Sequence, residues 1–139
     1  MAGVHFSFDN IKQLLQLSIG IAQRLDENRS ESFTILYCDF SSIAPDVIKM
    51  SLEQVLRNSD AISNFESDYF LVLPYTDKYG AGIVTKMFSD FFAKEINSSM
   101  VSYPGDGETP KALLQELQNI VSTKHHNDLR CLDSYTRLY

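Results

Sequence analysis

A chain of 139 residues with 44% hydrophobic residues and nine Phe has enough length and apolar content for one continuous core, which excludes a disordered tail. Its net charge of -6 leaves no basic stripe to collect phosphates and argues against a general nucleic-acid binder. Cys38 and Cys131 match neither a disulfide framework nor a zinc spacing, and no apolar run approaches membrane-spanning length. The expectation is a reducing, cytoplasmic setting without direct membrane insertion, and one domain over 1–139 with 1–8 and 125–139 peripheral.

In chain order, residues 9–25 place Ile11, Leu14, Leu15, Ala22 and Leu25 on one helical face, with Asp9 as the expected cap. ENRSES (27–32) interrupts that period. SFTILYCDF (32–40) is rich in aromatic and β-branched residues and reads as a buried central strand ending near Asp39, with Cys38 a buried thiol. SSIAP is a loop, and Pro45 opens a helix that continues over 47–56. AISNF and YFLVLP are two short strands separated by Glu66, Ser67 and Asp68, a hairpin without the glycine that tight turns prefer.

Asp77 caps the next helix, with Val84, Phe88, Phe91 and Phe92 at core-facing intervals. INSSMVSY (96–103) is a more polar strand, and PGDGE is a loop. Thr109 and Pro110 supply a cap and a first helical position, followed by Leu113, Leu114, Leu117, Ile120 and Val121 on one face. The tail LRCLDSYTRLY is expected to hold a short edge strand. After the first helix the order is β-α-β-β-α-β-α. The fold class is therefore α/β (α+β), a mixed, mainly antiparallel sheet flanked by helices.

Two groupings carry possible chemistry. Asp39 ends the central strand and Asp68 stands at the hairpin tip; as sheet neighbours, their carboxylates would converge toward a hard cation such as magnesium, or serve turn amides and solvent instead. Arg57-Asn58-Ser59-Asp60 joins a helix end to a strand. Its guanidinium and carboxylate either stabilise that corner or offer a fork for phosphate and an acceptor for a guanine N–H. His125-His126 has no partner at metal-site spacing, and SYPGDGE lacks the lysine and hydroxyl of a phosphate loop.

Several offsets agree with one family. Arg57-x-x-Asp60, AISNF, then Glu66-Ser67-Asp68-Tyr69-Phe70 and LVLP resemble the Arg-x-x-Asp, Gly-Gly-Asp/Glu-Glu-Phe and Leu-Pro pattern of GGDEF domains, which include diguanylate cyclases. TDKYGAGIVTKMF resembles that family's next helix, and SSMVSYPGDGETPKALLQELQNIVSTK its last strand, loop and helix, so that the likeness spans about 9–127. The resemblance implies a nucleotide-cyclase-like fold, shortened because the stretch between Asp39 and Glu66 has room for one loop and one helix.

It also implies a degenerate site. Glu66 and Ser67 replace the glycine pair, Tyr69 falls on the metal-binding glutamate, and Ser41 replaces the second acid after Asp39. A phenol is neutral near pH 7 and a poor magnesium ligand. The implied function is a catalytically inactive GGDEF-like regulatory or scaffolding module without a cofactor, acting through a protein partner or homodimer. Tyr69, Tyr75, Tyr79, Tyr135 and Tyr139 are candidate interface aromatics. The alternative is a cyclic di-GMP receptor through Arg57 and Asp60, for which Arg24, Arg29, Arg130 and Arg137 are the other arginines. The remaining alternative is residual magnesium-dependent GTP binding or cyclase activity.

Overall fold

The strand β2 (Glu31–Asp39) is the one around which the sheet is built, because both of its faces are apolar. In the computed structural model, which describes residues 3–25 and 30–136, Phe33, Ile35 and Tyr37 point to one side and Leu36 and Cys38 to the other. Antiparallel β4 (Asp68–Pro74) and β5 (Ser98–Pro104) flank it. The hairpin partner β3 (Ala61–Phe65) lies beyond β4, and β1 (Val4–His5) adds in parallel to β3, giving the order β1-β3-β4-β2-β5. The mixed, mainly antiparallel sheet is the one expected.

Five α-helices among the described residues cover both faces of this sheet. Helices α1 (Ile11–Leu25) and α4 (Pro110–His125) enclose one core, in which Leu15, Ile35, Phe70 and Leu113 are fully buried. Helices α2 (Pro45–Val55) and α3 (Lys78–Phe92) enclose the other, around Leu36, Leu71 and Phe88. Pro45 begins α2, Asp77 accepts from the Gly80 amide at the start of α3, and Thr109 accepts from the Ala112 amide ahead of Pro110. These caps are the ones expected from the sequence.

Three local expectations are corrected. Asp9 does not cap α1; Ser7 accepts from the Asp9 amide and opens a 3-10 turn (Phe8–Asn10) that leads into the helix. A short polar side chain two residues earlier makes the same bond, which helical periodicity does not reveal. Leu25 is 45% exposed, so it lies at the rim of the apolar face. The tail contributes no strand over 129–136: Arg130–Leu132 is a 3-10 turn and α5 (Asp133–Thr136) follows.

Leu129 and Leu132 bury into the core shared by α1 and α4, where helical spacing brings both under cover. Gln118 on α4 fastens this segment by donating to the Asp128 and Leu129 carbonyls and to Asp133, while accepting from Thr136. Part of ENRSES (27–29) and the end of the tail (137–139) lie outside the described residues. No helix among the described residues is long and apolar enough to cross a membrane.

Candidate functional site at the hairpin tip

The antiparallel register of β2 and β4 sets Asp39 directly opposite Asp68, Cys38 opposite Tyr69, and Tyr37 opposite Phe70. The two carboxylates therefore meet at one end of the sheet. The hairpin itself turns through Glu66 and Ser67 alone, since Phe65 and Asp68 are paired. Glu66 takes φ 53, a left-handed conformation usually given to glycine. Asn64 Nδ2 donates to the Glu66 carbonyl at 2.8 Å, and the Phe40 amide donates to the Ser67 carbonyl at 3.0 Å. These bonds hold a turn whose first residue carries a steric cost.

Asp39 and Asp68 have different duties. Asp39 Oδ1 accepts from the Ser41 amide at 2.9 Å, shaping the loop after β2. Asp68 Oδ1 accepts from the Tyr37 hydroxyl at 2.6 Å and from Asn127 Nδ2 at 3.4 Å, and Asn127 also donates to the Tyr37 hydroxyl at 3.2 Å. Burial raises the Asp68 pKa; the Tyr37 hydrogen bond opposes that rise, while the Asp39 and Glu66 charges add to it. Tyr37 is pushed up by burial and by its bond to the same carboxylate.

As a ligand set for magnesium the pair is thin. Such an ion takes near-octahedral oxygen coordination, whereas one of these two carboxylates already holds two protein donors. Among the described residues, no group of three or more His, Cys, Asp or Glu side chains is placed to hold a metal. Tyr69 is half-buried against Phe40, their ring centroids 4.9 Å apart, and Phe70 is buried on the opposite face beside Tyr37 and Phe8.

Arg57 and Asp60 form a second, self-contained unit between α2 and β3. Asp60 is 2% exposed. Its Oδ2 accepts from the Arg57 amide at 2.8 Å, and its Oδ1 accepts from Nη2 at 2.8 Å and Nε at 3.2 Å. Arg57 Nη2 also donates to the Pro74 carbonyl and to Thr76 Oγ1, each at 2.9 Å. The same corner receives the N-terminal strand: the Gly3 amide donates to the Arg57 carbonyl and the Val4 amide to the Asp60 carbonyl. Arg24 is exposed on α1 and Arg130 in the C-terminal 3-10 turn; Arg29, Arg137 and Tyr139 lie outside the described residues.

Sequence reasoning missed Tyr37 and Asn127. Tyr37 was within reach, since strand alternation puts it on the same side as Asp39. Asn127 carries no local signal, because its contact with Asp68 joins the end of α4 to the hairpin across the fold.

No family model matches the chain, and no curated protein matches it. Its fold is that of a GGDEF-type structure. The crystal structure of a sensory box/GGDEF family protein from Caulobacter crescentus CB15 superposes with a TM-score of 0.62 at 14% identity, covering 87% of this chain and 93% of the other. At that identity the likeness concerns architecture alone.

Proposed function

We propose that the chain is a GGDEF-like regulatory module that performs no cyclase chemistry and acts through contact with protein. The observation that carries this reading is the internal use of Asp68, whose carboxylate is occupied by Tyr37 and Asn127 and partly desolvated. An enzyme that draws two metals and a triphosphate to this tip needs free oxygens and close backbone approach. Here Glu66 adds a negative side chain where the resemblance expects glycine, and Tyr69 turns a neutral ring into the hydrophobic layer beside Phe40. A role in signalling is supported by the likeness of the fold to that of a sensory box/GGDEF family protein.

The test is turnover of GTP with magnesium by the full chain, alongside Tyr69→Glu, with product separated chromatographically. Neither protein is expected to form cyclic dinucleotide, because restoring one carboxylate leaves the Asp68 contacts and the Glu66 side chain in place. Product from the unaltered chain sinks the reading. Calorimetric titration with cyclic di-GMP in parallel, with Arg57→Ala as control, separates a receptor from a module that recognises protein alone.

A further inference from the structure

A module that acts by contact needs a surface, and α1 carries an apolar one. Leu17, Ile21 and Leu25 recur every fourth residue and are 59%, 50% and 45% exposed. Tyr75, 53% exposed just after β4, stands beside them, held at φ 54 while its amide donates to the Ser32 carbonyl at 3.1 Å. Between them opens a cleft of about 70 Å³, lined by Ile21, Leu25 and Tyr75 and by the buried Phe33 and Val72. That space suits one branched aliphatic side chain.

Size and sequence favour a second copy as the occupant. The four exposed side chains present on the order of 400 Å² of apolar surface, within the range of the largest patch a monomer shows. A stable interface buries about 800 Å² per partner, roughly two-thirds of it apolar in homodimers. The patch thus supplies most of the apolar part of one such interface. Gln13, Gln16 and Arg24 form a polar rim, and α1 contains no acidic residue to desolvate. The stripe reads alike in both directions about Ile21, so an antiparallel copy sets Leu17 against the other Leu25 and Ile21 against itself. Gly20 leaves open space on the same exposed side, which lets two helices approach closely.

We propose that this face docks a second copy of the chain about a two-fold axis at Ile21, with Leu17 of each copy filling the cleft beside Leu25 and Tyr75 of the other. The assignment rests on the reading of the chain as a contact module and names its surface. α3 offers a control patch: Tyr79, Ile83 and Met87 are exposed there, flanked by the Lys86–Asp90 pair.

Sedimentation velocity of the full chain over a roughly hundredfold range of concentration is expected to show a reversible dimer. Ile21→Glu should weaken it by about tenfold or more, while Met87→Glu leaves it unchanged. Ile21 is half exposed, so the charge stays outside the core, and circular dichroism checks the fold. In a Cys131→Ser background with copper phenanthroline and dissolved oxygen as the oxidant, Ile21→Cys should form a disulfide-linked dimer and Met87→Cys should not. A monomer throughout, a dimer indifferent to Ile21→Glu, or an Ile21→Cys chain that stays uncrosslinked overturns the proposal. A monomer that makes no product from GTP leaves the non-catalytic reading standing; a dimer that makes product overturns that reading and leaves the surface in place.

Discussion

Arg57→Ala gives the sharpest physical test of what the Arg57–Asp60 pair does. The substitution removes Nε and Nη2 from a carboxylate that is 2% exposed, leaving the Arg57 backbone amide as its remaining donor. Breaking a fully buried ion pair from one side costs about 3–5 kcal/mol. Here the arginine side is 54% exposed, so water reaches part of the vacated space, and we expect about 2–3 kcal/mol. For a domain of this size that corresponds to a fall of roughly 6–12 °C in Tm.

Arg57→Lys should recover only part of that loss. A single ammonium does not reproduce the planar fork that joins Asp60, Pro74 and Thr76. Urea denaturation gives the free energies, and hydrogen exchange gives the location: amide protection at Val4 and Phe6, which bond to the Asp60 and Ile62 carbonyls, should fall before that of β2. An Arg57→Ala change under about 0.5 kcal/mol with β1 protection intact would refute the idea that this pair is the structural corner.

Further predictions concern the hairpin and its surroundings. Asp68→Asn should stabilise the protein at pH 7: folding raises the Asp68 pKa, so the charged form costs stability above it, and that cost disappears as pH falls toward the unfolded value of about 3.9. Paired urea melts at pH 7 and near pH 4 should therefore show a gain that shrinks on acidification; a constant difference would count against it. Glu66→Gly should raise stability by about 0.5–1 kcal/mol in denaturant melts, because glycine accepts the positive φ without steric cost. Thr109→Ala should lose about 1 kcal/mol by removing the bond to the Ala112 amide. In the folded protein both thiols should react slowly with a disulfide reagent at pH 8, since burial pushes Cys131 up to about 12 and Cys38 higher still.

The sheet was legible because β2 has no polar face: a run of that kind belongs in the middle, and the flanking hairpin and cap residues then place β3, β4 and the helices. Helical spacing was a weaker guide to burial. Leu17, Ile21 and Leu25 fall at fourfold intervals as a core stripe does, yet the helix turns them away from the sheet toward solvent. The C-terminal segment was misread for a related reason. Its Leu129 and Leu132 are apolar enough for a strand, but Gln118 engages carbonyls and side chains there in the geometry of a turn.

The two candidate sites differ in what a sequence can say about them. The Asp39–Asp68 meeting follows from hairpin register once β2 and β4 are neighbours, so its existence was within reach. What changes its chemistry is Asn127, brought in from the end of α4 by tertiary packing that leaves no local pattern. At Arg57 the reverse holds. Arg-x-x-Asp is visible at once, but the same spacing lets a guanidinium close over a carboxylate three residues on, as it does here. A fork that satisfies its own aspartate must release it before that aspartate accepts from a guanine, and the ligand must supply the free energy for the exchange. A receptor built on this corner would therefore show Asp60 freed and β1 loosened on binding, while a structural corner keeps both in place under any concentration of cyclic di-GMP.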